Sequence, residues 1–349
     1  MLVLPEKGEQ NELRGDGLLP VIHVEGETLA EAARSAILAC WDCGARVETP
    51  KHQKGGSLGY DADIIVRVKN PLAEPKIYFP ALYDDGRGVM QYILEVTHGI
   101  HNHWKKNPND PNDERWGYTY NERFVDQLPF VFQRIKADWE KTKKKEGKGR
   151  ITGRDYQFSI WRAGEDIILE QEDPPCWQRG HLRFLMNDRG EIVFNYITDW
   201  RSRDLLKAWN ENIIGQIELM KLLRDKISDM LGVDVKMGAY IDRSSSLHLY
   251  GLYADRDNLN KQIEIIKANP YPAKTMSLDD YLLDRDGLKK LVYAQTLAED
   301  AGHGKNLGID ELKKLNYDIE TIKYPKEWDS WPKSWDAEPN ARKLARVYS

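Results

Sequence analysis

Between Cys176 and Tyr250 the chain carries side chains that could hold a nucleotide and attack its base. Asp173-Pro174-Pro175-Cys176 opens the stretch with a thiol. Arg201-Ser202-Arg203-Asp204 adds two guanidiniums, a hydroxyl and a carboxylate. Asn212 follows eight residues after Asp204, and Leu247-His248-Leu249-Tyr250 sets an imidazole and a phenol two residues apart. A cysteine becomes a nucleophile when a nearby arginine favours its thiolate. Arginines with a hydroxyl suit a phosphate, which accepts forked hydrogen bonds. An amide reads a base edge because it donates and accepts at once.

Carbon C5 of a uracil ring is a poor nucleophile. A thiolate that adds across C5=C6 turns it into an enolate, and C5 then attacks an electrophilic carbon. One hard step becomes two easier ones. Cys176, Arg201, Ser202, Asp204, Asn212, His248 and Tyr250 meet the needs of such a site. Taken alone, each has a plainer reading. A cysteine is more often packing than nucleophile, Arg201 and Asp204 could pair at a helix start, and His248 could be structural. The order and spacing of the pieces outweigh these readings.

On these residues the sequence resembles the thymidylate synthase family, which includes the pyrimidine nucleotide hydroxymethylases. The matching pieces are Pro174-Pro175-Cys176, Arg201-Ser202 with Asp204, Asn212, and His248-Leu249-Tyr250. Ser159-Ile160-Trp161, Ala163-Gly164-Glu165 and Asp126-Gln127 also look similar, so the likeness runs from about Tyr118 to Tyr250. The resemblance implies that Cys176 adds to C6, and that Arg201 and Ser202 hold the phosphate. It implies that Asp204 orders water and the pterin, Asn212 reads the O4/N3 edge, and His248 and Tyr250 bind the sugar 3′-hydroxyl. Arg154 is similar to the arginine that reaches the phosphate in the partner subunit's site. Glu95 is similar to the acid that relays protons at O4, and Tyr120 to an aromatic of the proton-transfer network. The one-carbon donor implied is 5,10-methylenetetrahydrofolate or a methanopterin analogue, and the substrate a pyrimidine nucleotide monophosphate.

An amide at Asn212 suits uracil, where the cytosine-specific relatives carry Asp. An unpaired buried polar group costs about 1–3 kcal/mol, enough to choose one base. Methylation of dUMP is therefore the expected reaction. The sequence also departs from the family pattern. Asp155 stands where a second arginine is usual and Trp177 where a histidine is usual. A Gly/Thr-rich phosphate loop near the N-terminus is missing, and the chain ends in Arg346-Val347-Tyr348-Ser349 instead of a small aliphatic lid. Without that lid water could capture the one-carbon unit, so 5-hydroxymethylation of dUMP, dCMP or CMP is the alternative. A non-catalytic nucleotide-binding paralogue is another. A cysteine hydrolase pairing Cys176 with His181 or His248 lacks a Gly-rich oxyanion motif.

The composition is that of an ordinary soluble chain. Of 349 residues, 41% are hydrophobic and 31% charged. A net charge of −5 argues against a nucleic-acid partner. No apolar run approaches the length of about 18 residues that a membrane span needs. The N-terminus, from Met1 to Glu6, lacks a signal-peptide core. Three cysteines, Cys40, Cys43 and Cys176, are too few for a disulfide framework, which points to the cytoplasm. Cys40-Trp41-Asp42-Cys43 is a lone metal half-site, and His98, His101 and His103 have no common zinc spacing, so no metal is expected.

The elements that must position the site follow from periodicity. Thr28–Cys43 reads as a helix capped by Thr28 with Glu31, and stopped by Gly44. Asp63–Val68 reads as a strand and Val89–Ile100 as a helix. Lys105–Trp116 reads as a loop, and a helix follows to about Lys141, which Pro129 either kinks or opens. The basic run Lys141–Gly149 reads as a solvated connection. A short strand is expected over Tyr156–Trp161. Arg183–Met186 and Ile192–Ile197 read as a hairpin. Apolar residues every three or four positions predict one long helix from Arg203 to Leu231, with Asp204 and Asn212 on a similar side. Strands are expected at Val233–Ile241 and Ser246–Tyr253, and helices at Asp257–Ala268 and Leu278–Leu297. Beyond residue 303 the pattern is unreadable, although Trp328, Trp331 and Trp335 could cover a folded surface. The family likeness implies an α/β (α+β) fold: a large mixed sheet backed by helices. It would form one domain over residues 1–349, with an N-terminal region 1–115 and a divergent tail from about residue 300. Two such sheets would pack face to face in a homodimer.

Overall fold

The structure, a computed structural model, describes residues 17–48, 58–106, 115, 117–168, 173–253 and 258–340. The expectations for Met1–Glu6, for most of the loop at 105–116 and for Arg346–Ser349 lie outside these residues. In chain order the strands are β1 (Val21–Gly26), β2 (Ala45–Val47), β3 (Gly59–Val68), β4 (Ile77–Tyr78) and β5 (Gln157–Ser159), then β6 (Trp177–Met186), β7 (Ile192–Trp200), β8 (Arg203–Asp204), β9 (Lys236–Leu249) and β10 (Thr275–Met276). The helices are α1 (Leu29–Cys43), α2 (Gly86–His98), α3 (Tyr120–Phe124), α4 (Leu128–Glu146), α5 (Ala163–Asp166), α6 (Trp209–Leu231), α7 (Leu259–Ala268), α8 (Leu278–Leu282), α9 (Arg285–Asp300) and α10 (Ile309–Lys314). Two compact units divide them. The first takes residues up to Tyr83, Cys176–Ile213 and Lys236–Leu278. The second takes Asp84–Pro175, Ile214–Val235 and the residues from Asp279 onward.

The first unit is built on a mixed sheet in the order β1-β3-β9-β7-β6, with β2 added to β3 and β8 to β9. β1 runs parallel to β3, and β7 and β8 parallel to β9, while β3–β9 and β6–β7 are antiparallel. Strict alternation explains why this sheet has one dry face. On β7 Ile192, Phe194, Tyr196, Thr198 and Trp200 are buried, and the residues between them are half-exposed. On β3 Tyr60, Ala62, Ile64, Val66 and Val68 are buried. Helix α1 covers β1 and β3 with Leu29, Ala33, Ala36, Ile37 and Cys40, its small alanines allowing close approach. Thr28 caps α1 by accepting from Glu31 N–H, and the Glu31 carboxylate reaches the Glu27 N–H. The opposite face of the sheet carries Ile65, Ile197 and Ile241 at half exposure, ringed by the pairs Arg179–Asp199 at 2.7 Å and Arg67–Glu25 at 3.1 Å.

Three expectations are corrected within this unit and its long helix. α6 begins at Trp209, not Arg203. Asp204 belongs to β8, so Asp204 and Asn212 do not share a helix face. The cause is local: Leu205 N–H donates to His248 O at 2.9 Å, and Asp204 Oδ1 accepts from Leu206 and Lys207 N–H at 2.9 and 3.1 Å. Backbone committed to a sheet and an Asx turn is not free to wind into a helix. Next, the two strands expected at 233–253 are one continuous strand, β9. Its polar middle, Asp242 to Ser246, stays in the sheet because Arg203, Trp209 and Thr198 satisfy Asp242. The other end of α6 is where the sequence puts it: Gly232, at φ +64°, stops the helix, as its freedom in the left-handed region allows.

In the second unit α4 runs on to Glu146, so most of the basic run is the last turns of a helix and not a connection. Lysines there suit the negative end of the helix dipole. The helix expected over Leu278–Leu297 is broken at Leu283, which has φ +39°. The tail folds too: Ala294, Ala298 and Leu312 form a small core with Leu307, Tyr317 and Ile322. Trp328 and Trp335 are buried, Trp335 lying 5.9 Å from the Phe132 ring. Among the described residues no helix is long and apolar enough to cross a membrane.

Candidate functional site

The β6–β7 hairpin closes the gap between Cys176 and Arg201. Trp177 pairs with Trp200, their rings stacked at 5.7 Å. One step further out, Arg201 N–H donates to Cys176 O at 2.8 Å. The thiol and the guanidinium thus leave adjacent backbone positions, and Cys176 is half-buried. The loop after Arg201 is held from below. Arg203 is 4% exposed, lies 4.0 Å over the Trp200 ring and pairs with Asp242 and Ser244. Asp242 also accepts from Trp209 Nε1 at 2.9 Å, which fixes the start of α6. Asn212 stands in the first turn of that helix, with its N–H on Ala208 O.

Strand β8 brings Asp204 beside β9, opposite His248. His248 is buried, its Nδ1 3.2 Å from Ser246 Oγ. Tyr250 follows just past the strand, its ring edge-on to His248 at 4.3 Å. Burial pushes the Tyr250 phenol up. Asp204 and Cys176 add to the rise, and the Arg201 guanidinium opposes it. One phenol therefore feels three of the candidate residues at once. Asp204 Oδ2 accepts from the Tyr253 hydroxyl, so both its oxygens have partners within the protein.

Next to Asp204 opens a cavity of about 550 Å³. Phe79, Tyr83 and Tyr253 give it aromatic walls, Leu206 and Ile265 apolar ones, and Lys207 a cation. Lys207 Nζ sits 4.6 Å from the Tyr253 ring and 5.4 Å from that of Tyr83. The size lies within the usual range for small-molecule sites. A flat heteroaromatic ring with an acidic tail fits this lining, by stacking and by charge.

The fold gathers Cys176, Arg201, Ser202, Asp204, Asn212, His248 and Tyr250 in the first unit. Glu95, Tyr120 and Arg154 belong to the second. There Glu95 Oε1 accepts from Gln91 Nε2 at 2.8 Å and lies 2.8 Å from His101 Nδ1. Tyr120 is half-buried, 6.0 Å from the Tyr118 ring, and Arg154 is exposed. The three histidines diverge: His98 bonds Glu327 O and Ser330 O, His101 bonds Glu95, and His103 bonds Asp300. Cys40 is buried, its thiol 3.4 Å from Leu247 O, and burial pushes that thiol up.

Sequence reasoning missed Asp61, Ser246 and Tyr253. Asp61 pairs with His248 across β3 and β9. A carboxylate at the mouth of an apolar strand was a visible signal for it, but its partner depends on register. Neither a family model nor a curated protein matches the sequence. Among solved structures the chain is similar to the thermostable thymidylate synthase A from Bacillus subtilis, at 15% identity and a TM-score of 0.45, over 68% of this chain and 84% of that one.

Proposed function

We infer that this chain transfers a one-carbon unit to C5 of a pyrimidine nucleotide through a covalent Cys176 adduct, as in thymidylate synthase-type methylation of dUMP. The observation that carries the reading is the Arg201–Cys176 backbone bond at the hairpin end, with Asp204, His248 and Tyr250 alongside. The Arg201 charge favours a thiolate at Cys176 and serves the phosphate together with Ser202. Sulfur bonds to C6, and the C5=C6 electron pair moves towards the O4 side. C5 would then bond to the one-carbon unit; loss of the C5 proton would break the transferred carbon's bond to the carrier nitrogen, which leaves with the electron pair, and hydride (or water, for a hydroxymethyl product) added to the exocyclic carbon would re-form C5=C6 and release the sulfur. Asn212 reads the O4/N3 edge, and His248 with Tyr250 holds the 3′-hydroxyl. Glu95 and Tyr120 serve the proton relay, and Arg154 the partner subunit's phosphate.

When bound, 5,10-methylenetetrahydrofolate or a methanopterin analogue supplies the methylene unit and, for a methyl product, the hydride. The cavity beside Asp204 suits such a carrier, since three aromatic rings and Lys207 line it. The half-exposed face with Ile65, Ile197 and Ile241 suits the sheet-to-sheet homodimer. The decisive assay is tritium release from 5-tritiated dUMP in the presence of the carrier. Release that disappears with Cys176→Ala supports the reading, and product mass separates methyl from hydroxymethyl. An intact protein that releases no tritium from dUMP or dCMP refutes it. For the dimer, inactive Cys176→Ala and Arg154→Ala chains regain partial activity on mixing, and none if no site is shared.

A further inference from the structure

Arg134, Asp138 and Thr142 follow one another at four-residue spacing on α4, so they form one row along the helix. The chain that returns from α4 runs back along this row and is fastened to each member in turn. Thr142 Oγ1 accepts from the Arg150 N–H at 2.8 Å. Asp138 accepts from the Thr152 N–H, from the Thr152 hydroxyl at 3.1 Å, from the Gly153 N–H at 3.0 Å and from the Tyr156 hydroxyl at 2.7 Å. Arg134 pairs with Asp155. These ties are unequal. The Arg134–Asp155 pair is exposed on both sides, and such pairs contribute little. Asp138 is a carboxylate met by amide and hydroxyl donors together, and charge-assisted bonds are the stronger kind. Burial raises its carboxyl, but the bonds from Thr152, Tyr156 and Gly153 outweigh burial and hold it below its ordinary range. The Tyr156 ring is buried, and its hydroxyl also accepts from the Gly153 N–H at 3.1 Å. An added Cβ at Gly153 would stand 2.3 Å from that hydroxyl oxygen, so this close approach requires a glycine. Arg154 lies between these anchors and is exposed.

We propose that Asp138 is a positioning residue for Arg154: it fastens the chain on both sides of that arginine to α4, so that the guanidinium meets a phosphate from an ordered loop. The proposal rests on the reading above, in which Arg154 serves the phosphate in the partner subunit's site. A long side chain on a loose loop loses freedom when it binds, and the loss is subtracted from affinity. Here folding has already fixed the backbone that carries it. Without Asp138 the ordering falls to the binding step, and affinity for a nucleotide monophosphate drops by about tenfold.

Hydrogen exchange with mass spectrometry on the full chain tests the loop without any ligand. In the wild type the Thr152 and Gly153 amides should exchange more slowly than unfolded chain by about tenfold or more. Asp138→Ala should remove that protection and leave α6 protected, which also shows that the variant is folded. Wild-type amides that exchange at the unfolded rate, or protection that survives in Asp138→Ala, overturn the proposal. Calorimetric titration with dUMP tests the route to the ligand. Arg154→Ala should weaken dUMP by about tenfold or more, Asp138→Ala by about tenfold, and the double variant no more than Arg154→Ala alone. A loss from Asp138→Ala that repeats in full in the Arg154→Ala chain marks a general loosening and overturns the positioning role, as does no loss in either. Should Asp138→Ala not fold, Tyr156→Phe keeps the buried ring, removes one tie and carries the same expectations at about threefold. An Arg154→Ala chain that binds dUMP like the wild type refutes the proposal and leaves the Cys176 chemistry standing. A wild-type protein that binds no dUMP sinks the nucleotide reading and this role of Arg154 with it, while the exchange measurement still decides whether Asp138 holds the loop.

Discussion

Removing the charge of Asp242 should unseat the loop that presents Arg201, Ser202 and Asp204. Asp242 is fully buried and accepts from Arg203, Trp209 Nε1, Ser244 and Thr198. Asp242→Asn keeps the volume and leaves the buried Arg203 guanidinium without its counter-ion. Breaking a buried pair from one side costs about 3–5 kcal/mol, because the remaining charge stays desolvated. With a urea slope of about 2–3 kcal/mol/M, the unfolding midpoint drops by about 1–2.5 M. Tryptophan fluorescence is the natural probe, since Trp200 stacks under Arg203 and Trp209 donates to Asp242. Replacing both partners, as Arg203→Met with Asp242→Leu, should cost much less than the sum of the single changes. A midpoint shift below about 0.3 M in Asp242→Asn, or a double variant whose loss is additive, would refute the claim that this ion pair holds the loop.

Brief alkylation of the native protein followed by peptide mass spectrometry should label half-buried Cys176 well before Cys40, which is buried with its thiol against Leu247 O. Equal labelling would contradict that burial. Gly99 has φ +64°, and an added Cβ would stand 2.2 Å from Asn102 Nδ2 and 2.4 Å from Asn121 Oδ1. Those two atoms bond each other at 2.9 Å, so Gly99→Ala should cost about 1–3 kcal/mol in urea melts. Burial raises the Glu299 carboxyl, with Glu95 adding to it and His101, Gln295 and Lys305 opposing. The folded state then binds a proton that the unfolded state releases. This contribution is therefore present at low pH and lost as pH rises from the ordinary carboxylate range through the raised value. Over that window Glu299→Gln should flatten the fall in midpoint, and an unchanged slope would count against it.

Much of the fold was legible because burial here is one-sided. α1 could be read from Thr28, its apolar stripe and Gly44, all local signals. The β6–β7 hairpin could be read from the turn at Asn187–Gly190, although both strands run further than their apolar cores. Failure came where tertiary bonds override periodicity. The apolar repeat through Leu205 and Leu206 is in phase with α6, but their segment turns against β9 and is buried by the sheet. The polar run at 242–246 reads as a turn, because its partner Arg203 lies far away in the sequence. The tail was unreadable since its buried groups, Trp328, Trp335 and Leu312, are widely spaced and follow short turns.

The site was legible as a list of residues and illegible as an arrangement, and one bulge shows why. On β9 Ser245 and Ser246 together stand opposite Asp63 of β3. An extra residue reverses the alternation of side chains beyond it. Before the bulge Asp242 and Ser244 point to the face where Arg203 and Trp209 lie. After it Leu247 and Leu249 take that buried face, and His248 turns to the side of Asp61 and Asp204. In an unbulged strand His248 would share the face of Asp242 and could not meet Asp61. Three serines in a row fit either register equally well, so the sequence carries no mark of the step. The histidine's partners are thus chosen by a backbone irregularity, and motif spacing along the chain cannot reveal it.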